Sequence, residues 1–212
     1  MRVIACAAGW TIAATITVAG VEFGLDRQAV DAAIKLGQSS AEKERARYHL
    51  AYRLEVNKAP LDYIDIVTPF RRVVLGAETR ARIGDRMFGQ RQALELLAGK
   101  GRQIDVHAEF TFHPQNTFVG VPEYVIRLGG DRLIAPRATE RVPRFGARVD
   151  RSPLFLPVPG GIASARSQPM LGGTVIAQFD GESLNAMGTY DVLVLEEEKE
   201  LGRVRVNFAT LR

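Results

Sequence analysis

Gly188–Phe208 reads GTYDVLVLEEEKELGRVRVNF. Tyr190, Val192 and Val194 share one side of an extended chain, with Asp191 and Leu193 on the other. Val204, Val206 and Phe208 repeat the pattern around Arg205 and Asn207. A period of two with branched and aromatic residues marks half-buried strands. The charged run Glu196-Glu197-Glu198-Lys199-Glu200 between them is the turn of an antiparallel hairpin.

Working backwards, Val175, Ala177 and Phe179 mark a third strand. Ile104, Val106, Ala108, Phe110 and Phe112 alternate with Asp105, His107, Glu109, Thr111 and His113 in a fourth. Phe118 to Leu128 reads as another, with Pro122 suggesting an edge or bulge. Gly129-Gly130-Asp131 supplies a hairpin turn. Residues 136 to 172, rich in Pro, Gly and Arg, read as long surface loops. Several short alternating strands separated by turns predict an antiparallel sandwich or barrel. No internal repeat is present.

The run Asp180…Leu184…Gly188-Thr189-Tyr190-Asp191-Val192-Leu193-Val194 resembles immunoglobulin-like β-sandwiches. In that superfamily a Tyr near the start of the penultimate strand forms a corner with the preceding backbone. The resemblance implies that role for Tyr190. It covers the last forty or so residues as a fold pattern and carries no activity. The Cys pair and core Trp of antibody-type domains have no counterpart: Trp10, the one Trp, lies near the N-terminus.

Residues 23 to 101 read as helical with one or two strands. Asp26 caps a helix bearing Ala29, Val30, Ala33 and Ile34 and stopping at Gly37. Ser39 and Glu42 have capping-box spacing for a second. Tyr48, Leu50, Tyr52, Leu54 and Val56 then alternate, which predicts a strand over 48–56; a continued helix is the alternative. Tyr63 to Val67 is the next strand. Thr68 caps a helix with Pro69 in its first position, and Phe70, Val73, Val74, Ala77 and Ala81 form its apolar stripe. Gly84-Asp85 ends or kinks it, and helix resumes from Met87 to Ala98. Arg71, Arg72, Arg80, Arg82, Arg86 and Arg91 give this region a basic face, expected to be solvated and available to an acidic partner or to anionic lipid head groups.

Val3 to Val21 carries no charge. Its 19 residues, at about 1.5 Å each in a helix, just span a bilayer core. Arg2 precedes the run and Glu22 and Asp26 follow it, so the N-terminus is expected to stay inside and the rest to lie outside the cytoplasm. The segment is either an uncleaved signal anchor or a signal peptide cut near Val18-Ala19-Gly20. Val3-Ile4-Ala5-Cys6 resembles a lipoprotein box, but the apolar run continues past Cys6, where a true box would end it. Cys6 is the one cysteine, so no disulfide is expected.

The chain has 212 residues and a net charge of +4, without the dense basic patch or reader motif of a nucleic-acid protein. His107, Glu109 and His113 share a strand face, but the two His lie about 20 Å apart along an extended strand, too far for one zinc ion. Ser164 lacks a nucleophile-elbow context. Gly129-Gly130, Gly160-Gly161 and Gly172-Gly173 lack the lysine and helix of a phosphate loop. Asp62 and Asp65 sit too near a turn to be read as a carboxylate pair.

The reading is therefore an α+β protein, mainly β with helical additions: a signal anchor or signal peptide (1–22), a helical region (23–101) and an Ig-like sandwich (102–212). It predicts a membrane-tethered or exported, non-catalytic interaction or assembly subunit with protein partners in or at a membrane and no cofactor or metal. The alternatives are an envelope enzyme built from loops 113–117 and 136–172, and a small-ligand or glycan module using exposed aromatics such as Phe145 and Phe155.

Overall fold

The computed structural model describes residues 20–85, 87–100, 102–146 and 169–212. The expected membrane segment lies outside them except for Gly20 and Val21, as do Trp10, Cys6, Gly160-Gly161, Ser164 and Phe155. No helix among the described residues is long and apolar enough to cross a membrane.

Among the described residues, nine strands form two antiparallel sheets. They are β1 (Arg53–Lys58), β2 (Leu61–Val67), β3 (Gln103–Thr111), β4 (Tyr124–Gly129), β5 (Leu133–Ile134), β6 (Ala138–Phe145), β7 (Met170–Asp180), β8 (Thr189–Glu196) and β9 (Lys199–Asn207). Sheet one runs β1-β2-β3-β7-β6 and sheet two β5-β4-β8-β9. The hairpin Gly188–Phe208 forms as read: Tyr190 pairs with Val206 and Val192 with Val204. Glu197 takes the positive φ of 54° that the tight reversal needs.

The core follows from the period of two. Ile104, Val106, Ala108, Phe110, Val175, Ala177 and Phe179 of sheet one meet Ile126, Leu128, Val192, Val194 and Val206 of sheet two. Phe110 and Tyr124 stack across the gap, with centroids 4.1 Å apart. Burying one such side chain is worth roughly 1.5–3 kcal/mol. β1 and β2 pair onto β3, so sheet one crosses the expected boundary at 101/102.

The described residues also form four α-helices, α1 (Arg27–Gly37), α2 (Glu42–Leu50), α3 (Pro69–Arg82) and α4 (Gln90–Ala98). Asp26 caps α1 by accepting the Ala29 N–H at 2.7 Å. Val30, Ala33 and Ile34 pack on Phe70, Val73, Val74 and Ala77 in a second small core. Gly37 permits the contact: a Cβ there would strike the Val74 carbonyl and Ala77. Tyr48 touches both cores.

Four local expectations are corrected. Residues 48–56 are not one strand: α2 runs to Leu50 and β1 starts at Arg53. Tyr48 lies on the last turn of α2 and Tyr52 on the turn that leaves it, and their rings lie 5.0 Å apart, while Leu50 points into solvent. Ser39 does not cap α2; its hydroxyl takes the Ala41 N–H, and Ala41 stands uncapped at the N-cap. Within residues 136–172, β6 and the start of β7 are strands. All eight β6 residues are exposed, so no alternation betrays them. Pro143 and the charges of Glu140, Arg141 and Arg144 suit an uncovered edge. Phe118 and Val119 stand outside the sheet, since β4 begins after Pro122.

Candidate functional site

The arginine-rich region divides in two. Thr68 caps α3 by accepting the Arg71 N–H at 3.2 Å, which seats the first turn on the outward face of β2 and β3. There Asp65 and Asp105 stand opposite to the core-facing Ile64, Ile66, Ile104 and Val106. Arg71, 2% exposed, donates to both oxygens of Asp65 at 2.8 and 2.9 Å and to the Ile66 carbonyl at 2.6 Å. Its guanidinium lies 4.8 Å from the Tyr52 ring centroid. Arg72, 7% exposed, donates to Asp105 at 3.0 Å and to the Gln103 carbonyl at 3.2 Å. The expected solvated role of these two residues is thus corrected: they pin the helical layer to sheet one. Their identity as arginines concealed this, because a charged residue on a helix ordinarily reads as surface.

The other end is open. Arg80 and Arg82 lie exposed on the last turn of α3, and Arg91 lies exposed on the first turn of α4. Their acidic contacts are to Asp85 at 3.7 Å, Glu78 at 2.9 Å and Glu95 at 3.9 Å. Arg86 falls outside the described residues. Gly84 turns the chain with φ 79°, leaving Ile83 71% and Met87 82% exposed in the connection.

Between these ends sits Glu78, a carboxylate only 8% exposed. It accepts from Arg82 and from His49 Nε2, each at 2.9 Å, and lies 3.4 Å from Arg45. Burial pushes its pKa up, but the Arg82 and His49 hydrogen bonds outweigh this and hold it below the usual carboxylate range. Burial pushes His49 down, against the pull of Glu78. With Glu78 held toward its ionised form, the His49 Nε2–H is the donor of the pair. Burial also depresses His107, which faces the same layer near Asp105 and Asp65.

The remaining candidates stay apart. Glu109 accepts from Thr174 at 2.6 Å and sits 3.4 Å from Arg144. His113 lies in the turn after β3, its Nδ1 accepting the Gln115 N–H. No group of three metal-ligating side chains occurs among the described residues. Asp62 accepts from Thr111, whereas Asp65 is taken by Arg71. The 113–117 loop is tied down by the Asn116 amide, which donates to the His113 and Met170 carbonyls.

One feature has no counterpart in the sequence reading. A cavity of about 610 Å³ opens where α1 and α2 meet the end of the sandwich, lined by Tyr48, Tyr52, Phe70, Leu36, Glu44 and Arg47 among others. Its walls come from five separate chain segments, and only the Tyr48/Tyr52 spacing hints at it. A search against protein families, curated proteins and solved structures finds no match.

Proposed function

We propose that this chain is a membrane-tethered or exported, non-catalytic interaction subunit that works outside the cytoplasm. It docks an acidic partner protein at the membrane through the tip joining α3 to α4. The observation that carries the reading is the exposure of Ile83 and Met87 beside Arg80, Arg82 and Arg91. Single exposed apolar side chains are ordinary. Here two lie in one connection, with exposed arginines on the helix ends that flank it in sequence, and such a mixture of apolar and basic side chains suits a docking surface.

We read the scaffold as immunoglobulin-like. In chain order β2-β3-β7-β6 corresponds to strands A-B-E-D and β5-β4-β8-β9 to C′-C-F-G of that fold. On this reading β1 is an addition, and α3 and α4 are an insertion between A and B. Tyr190 supports it further: its hydroxyl accepts the Asn185 N–H at 2.6 Å, five residues upstream on the E–F connection.

The test is a pull-down from native membranes in mild detergent, comparing the wild-type chain with Ile83→Asp/Met87→Asp. The wild type should bring down a stoichiometric partner and the variant should not, with unchanged circular dichroism. Recovery of the wild-type chain alone, as a monomer, would overturn the reading. Anionic lipid head groups compete for the same tip. Co-sedimentation of the purified wild type, but not the variant, with phosphatidylserine vesicles would transfer the site from protein to lipid.

A further inference from the structure

The cavity under α2 has features that the packing of the chain does not require. Its volume of about 610 Å³ falls within the roughly 300–1,000 Å³ of small-molecule sites. Its inner wall is fixed. The Tyr52 hydroxyl donates to the Arg212 carbonyl at 2.8 Å and accepts the Arg212 N–H at 3.1 Å. The Arg212 guanidinium lies 4.4 Å from the Phe70 ring centroid and reaches Glu22 at 3.1 Å. Tyr48 completes the aromatic wall, 5.0 Å from Tyr52 and 6.2 Å from Phe70. Its hydroxyl is buried without a hydrogen-bond partner among the described residues. Burial, reinforced by Tyr52, pushes its pKa far above the usual phenol range. Tyr48 thus contributes its aromatic ring to the cavity wall, with its hydroxyl closed off from solvent.

The outer wall is α2, which is unlike the other helices. None of its nine residues is fully buried and its N-cap is uncapped. A short helix, polar nearly all round, gains little from its own sequence. It is held by Tyr48 and by the contacts of Arg45 and His49 with Glu78. Two charged side chains on it, Glu44 and Arg47, line the cavity. Three residues apart, they share a helical face, yet neither has an ionic partner among the described residues.

We propose that this cavity binds a small zwitterion with an apolar body, a hydrophobic amino acid or short peptide. The charge of the lining decides the class. Glu22 and Arg212 pair with each other at 3.1 Å, and the Arg212 main-chain oxygen accepts from the Tyr52 and Thr68 hydroxyls. That leaves one carboxylate and one guanidinium unanswered at the mouth. A simple anion would satisfy Arg47 but meet Glu44, and a simple cation the reverse. A zwitterion places its carboxylate on Arg47 and its ammonium on Glu44, while its side chain enters between Leu36, Tyr48 and Phe70.

The test is calorimetric titration of the full chain in mild detergent with L-phenylalanine and the dipeptide Leu-Phe. Phenylacetate and phenethylamine serve as single-charge controls. The zwitterions should bind, with each control about tenfold weaker or worse. Glu44→Gln and Arg47→Gln should each weaken zwitterion binding about tenfold. Ala51→Trp, which fills the cavity from an exposed position, should abolish it with the thermal melt unchanged. Absence of zwitterion binding at millimolar concentration, equal binding by the single-charge controls, or full binding by folded Ala51→Trp would each overturn the proposal. The docking tip plays no part in these titrations, so the two ideas fail separately.

Discussion

The two ends of α3 use the same residue type for opposite purposes. Arg71 and Arg72 lie beneath the helical layer and meet carboxylates projecting from adjacent strands. Arg80 and Arg82 project from the last turn into solvent. What separates them is the surface each turn rests on. The first turn follows β2 directly through Thr68 and lands on the outward face of sheet one. The last turn has no strand carboxylate among its ionic contacts, which are Glu78 on α3 itself and Asp85 just after it. Arginine count and spacing are therefore silent about which guanidinium is structural; the strand partner decides.

The sharpest way to break this contrast is Arg71→Ala. It leaves Asp65 and the Ile66 carbonyl without their donor, and removing one partner of a buried pair costs about 3–5 kcal/mol. Urea denaturation should show a loss of that order. Arg72→Met should cost somewhat less, about 2–3 kcal/mol, because Asp105 also accepts from Gln103. Adding Asp105→Leu should recover most of the loss, since an apolar replacement of a buried pair is often neutral. If the double variant melts no higher than Arg72→Met, the pair does more than seal the interface.

A smaller effect comes from pH. His49 and His107 are both held below the usual histidine value by burial. The folded chain resists protonation there while the unfolded chain accepts it, so their stabilising contribution is complete above about pH 6.5 and is lost as pH falls below it. Glu78, depressed in the folded chain, contributes stability that is lost lower, as pH drops through the carboxylate range. The urea midpoint should decline between pH 7 and pH 5, and His49→Phe/His107→Phe should flatten that slope relative to wild type. Smallest of all, Arg80→Ala and Arg91→Ala should each shift stability by no more than about 0.5 kcal/mol, while Arg71→Ala shifts it several-fold more.

The legible parts of the sequence were those with a single period. Tyr190 to Phe208 sets a buried face against a more open one, and Ile104 to Phe112 alternates apolar with polar residues even though α3 covers Asp105 on the polar face, so two-residue alternation located them. Tyr190 could be picked out before its contact with Asn185 was known. β6 was illegible because it is an edge with neither face buried. Residues 48–56 misled because an aromatic pair four apart and a strand that starts at the very next residue, Arg53, combine into apparent alternation. The Asp65–Arg71 and Asp105–Arg72 pairs join residues from different elements and leave no periodic mark. The cavity under α2 was hidden for the same reason, since Glu22, Tyr48, Phe70 and Arg212 meet only in the folded chain.

The division of α3 is tested most directly by a photo-crosslinking residue placed in turn at Met87, on the proposed tip, and at Leu133, exposed on the distant β5. In native membranes the account predicts a discrete crosslinked partner from Met87, none from Leu133, and loss of the Met87 product with Arg80→Glu/Arg91→Glu while the melting temperature stays unchanged. Equal crosslinking from both positions, or a Met87 product indifferent to those charge reversals, would contradict it.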